Sequence, residues 1–376
     1  MAPEITQVVD LPIEDSAGHP ITDGNSDYSD ILQEFIDSLQ PGTLVQGNGE
    51  VYSCDKPLVV TNPDNLSFGL ADTTFVPLSV TGPYDTTQKP GQLNARSRAA
   101  WRFMGGHDVH FAAHIVGAAS LPDQSPGVYN SKYEAQHGVD IQGTKNIEVT
   151  ESDINDVMGD FVYWGPNLKT WDLSSGSVHD NTFDGSGRQG WSVTGGDGIE
   201  IAHNTIDHVA RSLIDLEPTT ATNWAALNVH MHHNEIGVVG LSFLACKGQG
   251  PNVDGIVIDH NHSKHRLVTT INASDGASRG TFDINNNSSD EFIGFPTSAT
   301  NPHGCIEVRR VKKIIIAGNV QPMQPKRGCS FALFDSCQEG LYFWNTTDQG
   351  EPPILLGSNP NMTIAANRYV TNGPWV

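Results

Sequence analysis

The chain has 376 residues and a formal net charge of -22, from 21 Lys+Arg against 43 Asp+Glu. Its 37% hydrophobic content, with 7 Trp and 14 Phe, supports a sizeable core and excludes a disordered chain. The charge would repel a phosphate backbone or an anionic membrane surface, which excludes nucleic acid as a partner, and no run approaches the roughly 18–20 apolar residues of a membrane span.

The chain starts Met1-Ala-Pro-Glu-Ile, without the basic and apolar regions of a secretory signal. Ile31, Leu32, Phe35, Ile36 and Leu39 form one apolar helical face, so a helix is expected over about 29–39, stopped by Pro41-Gly42. Short strands at Thr43–Val45 and Gly49–Tyr52 complete an N-terminal unit of residues 1–55. Residues 78–100 and 118–136, polar and rich in turn formers, read as long loops within a body spanning 56–337. From 338 to 376 the pattern weakens, and an irregular last coil or an oligomerisation tail is expected.

Between these limits a unit recurs: apolar-x-apolar, a few residues, then Asn-x-apolar. It reads Ile199-Glu-Ile201-Ala-His-Asn204-Thr-Ile206, Val229-His-Met231-His-His-Asn234-Glu-Ile236 and Ile256-Val-Ile258-Asp-His-Asn261. Weaker copies carry Asn181, Asn287, Asn319 and Asn367, and Ser152 stands in the Asn place of another. From 152 to 319 the steps are 29, 23, 30, 27, 26 and 32 residues. That variability suits a solenoid with constant core strands and variable loops. A second short strand follows each Asn, as in Val139–Ile141, Val162–Trp164, Trp191–Val193 and Ile214–Leu216. Inward asparagines at the turns would hydrogen-bond the backbone of neighbouring coils as a ladder.

This pattern resembles the right-handed parallel β-helix of the pectin-lyase-like superfamily over about residues 100 to 370. The resemblance implies an all-β solenoid with an N-terminal capping helix, which would shield the first coil from edge-to-edge pairing. It also implies a protein that binds or degrades polysaccharide, as tailspikes, hydrolases, lyases and epimerases of this fold do. The motifs expected of alginate epimerases, pectate lyases and polygalacturonases are missing. A virion-tail or extracellular setting and a homotrimer follow from the likeness to tailspikes.

Taking Val139, Val162, Trp191 and Ile214 as equivalent inward positions, the outward ones are Asp140 and Gln142, Tyr163, Ser192 and Thr194, then Asp215 and Glu217. Asp215 and Glu217 project to one face with Cα atoms roughly 6.5–7 Å apart. Inverting glycosidases place their carboxylates roughly 6.5–9.5 Å apart, and two acids this close separate their pKa values into an acid and a base. The pair is the catalytic candidate; a solvated acidic face is the alternative. Arg188 and Arg211 each lie three residues before a strand of this row, with Arg266 near the same register further on. They would bind sugar hydroxyls or carboxylates, or neutralise the acids. Tyr163, Trp224 and Trp171 offer rings for sugars to stack on. Asp140, Gln142, Tyr163, Arg188, Arg211, Trp224 and Arg266 are therefore the substrate-binding candidates.

Three functional readings remain open: a glycoside hydrolase is favoured, ahead of a non-catalytic receptor-binding tail protein and of a lyase or epimerase. No cofactor is required, although Asp140, Asp156 or Asp160 could hold calcium. His203, His233 and His260 each precede a ladder Asn and would stack in a line. A metal needs three or four ligands converging on a point, so no metal site is expected there. The odd number of cysteines leaves at least one unpaired; buried reduced thiols are expected, with a Cys329–Cys337 bridge compatible with the spacing.

Overall fold

The computed structural model describes residues 5–22, 26–77, 98–117, 133–220, 224–247, 250–265, 267–272, 278–290, 306–321, 332–343, 345–347, 354–365 and 367–369. Three short strands make a coil. Ser174–His179, Thr182–Ser186 and Trp191–Val193 are followed by Gly196–Ala202, Thr205–Val209 and Ile214–Leu216, then by Ala226–His232, Glu235–Val239 and Leu244–Cys246. The residues just after each Asn, read above only as part of a motif, thus form a strand of their own.

Each strand pairs in parallel with its equivalent one coil away. Val178, Ile201 and Met231 are in register, as are Phe183, Ile206 and Ile236, and Trp191, Ile214 and Leu244. All nine are buried. Period-2 alternation sends these large side chains inward, and stacking gives each a neighbour above and below, so strands too short to fold alone enclose one continuous core. Toward the N-terminal end that core is aromatic: Trp101 meets Phe75 and Phe111 edge-on at 5.1 and 5.3 Å.

The asparagine ladder is present. Asn181, Asn204, Asn234, Asn261, Asn287, Asn319, Asn345 and Asn367 are all buried, and each but the last donates its Nδ2 to the next Oδ1 at 2.8–3.1 Å. Ser152 heads the column, its N–H donating to Asn181 Oδ1. Asn345 escaped the sequence pattern because Thr346-Thr347, rather than an apolar residue, follows it. The residue before the column turns the chain with positive φ: 55° at Asp180 and His203, 53° at His233, 52° at His260 and 53° at Asn286. Asn, Asp and His tolerate this left-handed conformation better than most non-glycine residues.

A helix spans Ser29–Ser38, ending one residue short of expectation because Leu39 is extended. Leu32 and Ile36 enter the core, and the Gln33 amide bonds both the N–H and the C=O of Val59 at 2.8 Å. The two strands that follow do not pair with each other. Thr43–Gln46 and Val51–Cys54 each pair with a different stretch of the long strand Asp64–Pro77.

At the other end the described strands remain regular. Glu339–Phe343 and Asn361–Ala365 pair in register with Val311–Ala317 and with each other, and Asn345 and Asn367 continue the ladder. The expected loops fall largely on 78–97 and 118–132, outside the described residues, as does Cys329. Cys54, Cys246 and Cys337 are buried free thiols.

Candidate active site

Among the described residues, 11 strands form one long parallel sheet that includes Val139–Gln142, Val162–Gly165, Trp191–Val193 and Ile214–Leu216. Register places Asp140, Tyr163, Ser192 and Asp215 in one outward row. This outward row was expected to meet substrate. Instead Asp140, Gln142, Ser192, Thr194 and Asp215 are all buried, because the polar side chains of this face pair with and cover one another. Arg102 Nε lies 3.2 Å from Asp140, which also accepts the Gln142 amide at 2.6 Å.

Arg188 organises the centre. Its Nη1 donates to Asp160 Oδ2 at 2.7 Å and to Ser192 Oγ at 3.0 Å, and its Nη2 to Glu217 Oε2 at 3.3 Å. Burial works against its charge, but Asp160 and Glu217 more than compensate and hold the guanidinium firmly protonated. Asp160 is wholly buried and also accepts the Gln189 N–H. Desolvation pushes its pKa up, opposed by Arg188.

Asp215 is 4% exposed. Its Oδ2 accepts the Gln189 amide at 2.7 Å, while Oδ1 receives no hydrogen bond from the described residues. Burial first, then the negative charge of Glu217, raises its pKa well above the usual carboxylate range. A raised pKa favours the neutral carboxyl, which lets a buried oxygen without a donor carry a proton in place of a charge. The arrangement is thus a buried acid of raised pKa at 215 beside a half-exposed Glu217 that accepts from Arg188.

Behind this pair, His137 Nδ1 accepts the Asp160 N–H at 3.0 Å, so the ring proton sits on Nε2. The ring stacks on Tyr163 at 4.8 Å, and Tyr163 Oη accepts from Thr194 Oγ1. Burial lowers the His137 pKa to about 3. The folded chain then binds fewer protons than the unfolded one, whose histidine titrates near ~6.5, so stability is lost as pH falls from ~6.5 toward 3. His137→Asn, which keeps an acceptor near Nδ1, is expected to flatten this acid limb in melting temperatures recorded from pH 7 to pH 4.

No family model matches the sequence, and no curated protein matches it. Solved structures do. A tailspike protein of E. coli bacteriophage HK620, in complex with a pentasaccharide, matches 94% of this chain with a TM-score of 0.59 at 10% identity; the match spans 64% of the tailspike chain. A family 28 exopolygalacturonase of Yersinia enterocolitica matches 96% of this chain and 78% of its own, with a TM-score of 0.55 at 9% identity. PfbA, a surface adhesin of Streptococcus pneumoniae, matches 93% and 91% with a TM-score of 0.51 at 11% identity. The chain is a right-handed parallel β-helix. At such identities the likeness shows the fold, and the chemistry must be read from the side chains.

On this β-helix the candidate residues fall into three groups. Asp215, Glu217, Arg188 and Tyr163 come together at the site just described. Asp140 and Gln142 belong to the same face but are committed to Arg102, and Asp160 is committed to Arg188, so neither acid offers a free carboxylate for calcium. Arg211 lies one coil from Arg188, its N–H bonded to the Arg188 carbonyl. Trp224 sits before strand Ala226–His232, its carbonyl accepting from Asn252 at 3.2 Å. Arg266 lies outside the described residues.

A cleft of about 430 Å³ opens beside this last strand, lined by Trp171, Ala225, Leu227, Asn252, Asp254 and Lys312 among others. Trp171 is 42% exposed, a ring offered to solvent at the cleft. The histidine column also departs from expectation. His232, from the adjacent strand end, joins His203 and His233, and one ligand nitrogen from each lies within 4.8 Å of the others.

Proposed function

We propose that this β-helix binds a neutral or weakly charged polysaccharide and hydrolyses it with Asp215 as the proton donor and Glu217 as its partner carboxylate. The observation that carries this reading is a buried carboxylic acid of raised pKa two residues from a half-exposed second acid. Strongly perturbed acids of this kind concentrate at catalytic sites. The -22 charge disfavours a polyanionic substrate.

In the reaction Asp215 gives its proton to the glycosidic oxygen as the bond to the anomeric carbon breaks, and Glu217 faces the positive charge that develops there. With Glu217 as nucleophile the pair works as a retaining enzyme's, at a separation of roughly 5–5.5 Å. Water then cleaves the glycosyl–Glu217 ester, and the Asp215 carboxylate takes its proton.

The helix Ser29–Ser38 is proposed to cap the first coils. A homotrimer displayed on a virion tail or another extracellular surface is proposed from the likeness to tailspikes, and exposed Leu341, Leu355, Leu356 and Ile364 on the last coils offer apolar surface to a neighbouring copy.

The test is incubation with cell-wall and capsular polysaccharides, following reducing ends and absorbance near 235 nm. Reducing ends without absorbance are expected; both together would indicate a lyase. A second reading, binding without cleavage, is favoured by the burial of Asp215 and the exposed Trp171 cleft. Glycan binding with no product of either kind would establish it over the first.

A further inference from the structure

The sheet edge that carries the asparagine ladder also gathers imidazoles. His203 and His233 occupy the same left-handed turn position on successive coils, and their rings lie nearly parallel, 23° apart with centroids at 5.3 Å. His232 ends strand Ala226–His232 and presents its ring almost perpendicular to both, at 88° and 89°. The ladder holds this backbone in place, because Asn234 Nδ2 donates to the His232 carbonyl at 2.9 Å.

Two distances decide what the cluster can do. His232 Nδ1 and His233 Nδ1 are 2.9 Å apart, and the ligand nitrogens of all three residues lie within 4.8 Å of one another. Nitrogens at about 2.0–2.1 Å from a tetrahedral zinc are separated by roughly 3.3 Å, which falls inside that range. On the far side of the same ring, His232 Nε2 lies 3.1 Å from Glu200 Oε1. A histidine that binds metal through one nitrogen commonly donates its other N–H to a carboxylate, which fixes the tautomer and the ring. Here the carboxylate is already in place, and it leaves Nδ1 facing the other two imidazoles.

We propose that His203, His232 and His233 bind a divalent transition-metal ion of the zinc class, with Glu200 positioning His232. Three neutral imidazoles suit zinc, nickel or copper rather than calcium or magnesium. His203 and His233 are exposed, so the ion's remaining position opens to solvent, where water or an outside ligand completes the coordination.

The experiment is a Zn²⁺ titration of the full chain without a histidine tag, followed by calorimetry. One equivalent is expected to bind, displaced by Ni²⁺ and unaffected by excess Mg²⁺. The double variant His203→Asn, His233→Asn is expected to weaken binding at least 100-fold without disturbing the coil, since Asn286 occupies the same turn position with φ 53°. Glu200→Ala keeps all three ligands and is expected to weaken binding by about 10–100-fold. Circular dichroism confirms that each variant is folded. Failure of the native chain to bind one equivalent, or unchanged affinity in the folded double variant, overturns the proposal.

Discussion

Asp215→Asn is expected to lower the rate of glycan hydrolysis by about 10²–10⁴-fold, the range that a positioned general acid contributes. The carboxamide fills the same space and still meets Gln189, so glycan binding should persist while bond cleavage is lost. The same substitution should change stability in the opposite direction. The folded-state pKa of Asp215 lies above its unfolded value of ~3.9, so the folded chain binds more protons between the two values. Stability therefore falls as pH rises through that window. The native chain carries the cost of an ionised buried carboxylate at high pH, whereas the asparagine variant does not. Melting temperatures at pH 5 and pH 8 should show the variant gaining on the native chain at the higher pH. Equal hydrolysis by both proteins would dismiss Asp215 as the acid, even if the reaction itself were confirmed.

The second large effect concerns the scaffold. Asn234 donates to the carbonyls of Ile201 and His232 at 3.0 and 2.9 Å and to Asn261 Oδ1 at 2.8 Å. Its own Oδ1 accepts from the backbone and side-chain N–H groups of Asn204 at 3.0 and 2.9 Å. Asn234→Ala removes the amide that serves these groups inside a buried column. Each buried polar group left without a partner costs about 1–3 kcal/mol, so a loss of at least ~3 kcal/mol is expected in denaturant unfolding. Asn367→Ala, at the far end of the described ladder, should cost less. Asn367 donates to Tyr342 and accepts from Asn345, with no further rung beyond it among the described residues. A uniform cost along the column would contradict a cooperative ladder.

Much of the scaffold was legible because a solenoid repeats its constraints. An Asn every 22–32 residues marks one corner of each coil, and from that corner the inward register of Val162, Trp191 and Ile214 follows. The acidic pair was legible for a local reason, two residues apart at the end of one strand. Its partners were not. Asp160 and Gln189 lie 29 residues apart in the chain yet share a hydrogen bond across adjacent coils. A search for polar residues one coil apart at the turns, rather than within the strands, would have found them. Burial of the outward row was missed because outward was equated with solvated. Arg102 and Arg188 neutralise Asp140 and Asp160 from neighbouring coils, and that pairing lets the face close. The histidines were read as a single column, whereas His232 on the adjoining strand converts the line into a triangle.

The functional reading rests on a neutral acid at position 215, and its protonation can be observed directly. Infrared difference spectra between the native chain and Asp215→Asn at pH 7 should contain the carbonyl band of a protonated carboxylic acid in the native protein and lack it in the variant. A difference spectrum containing only carboxylate bands would mean that Asp215 is ionised at pH 7, and the acid role assigned to it would fall.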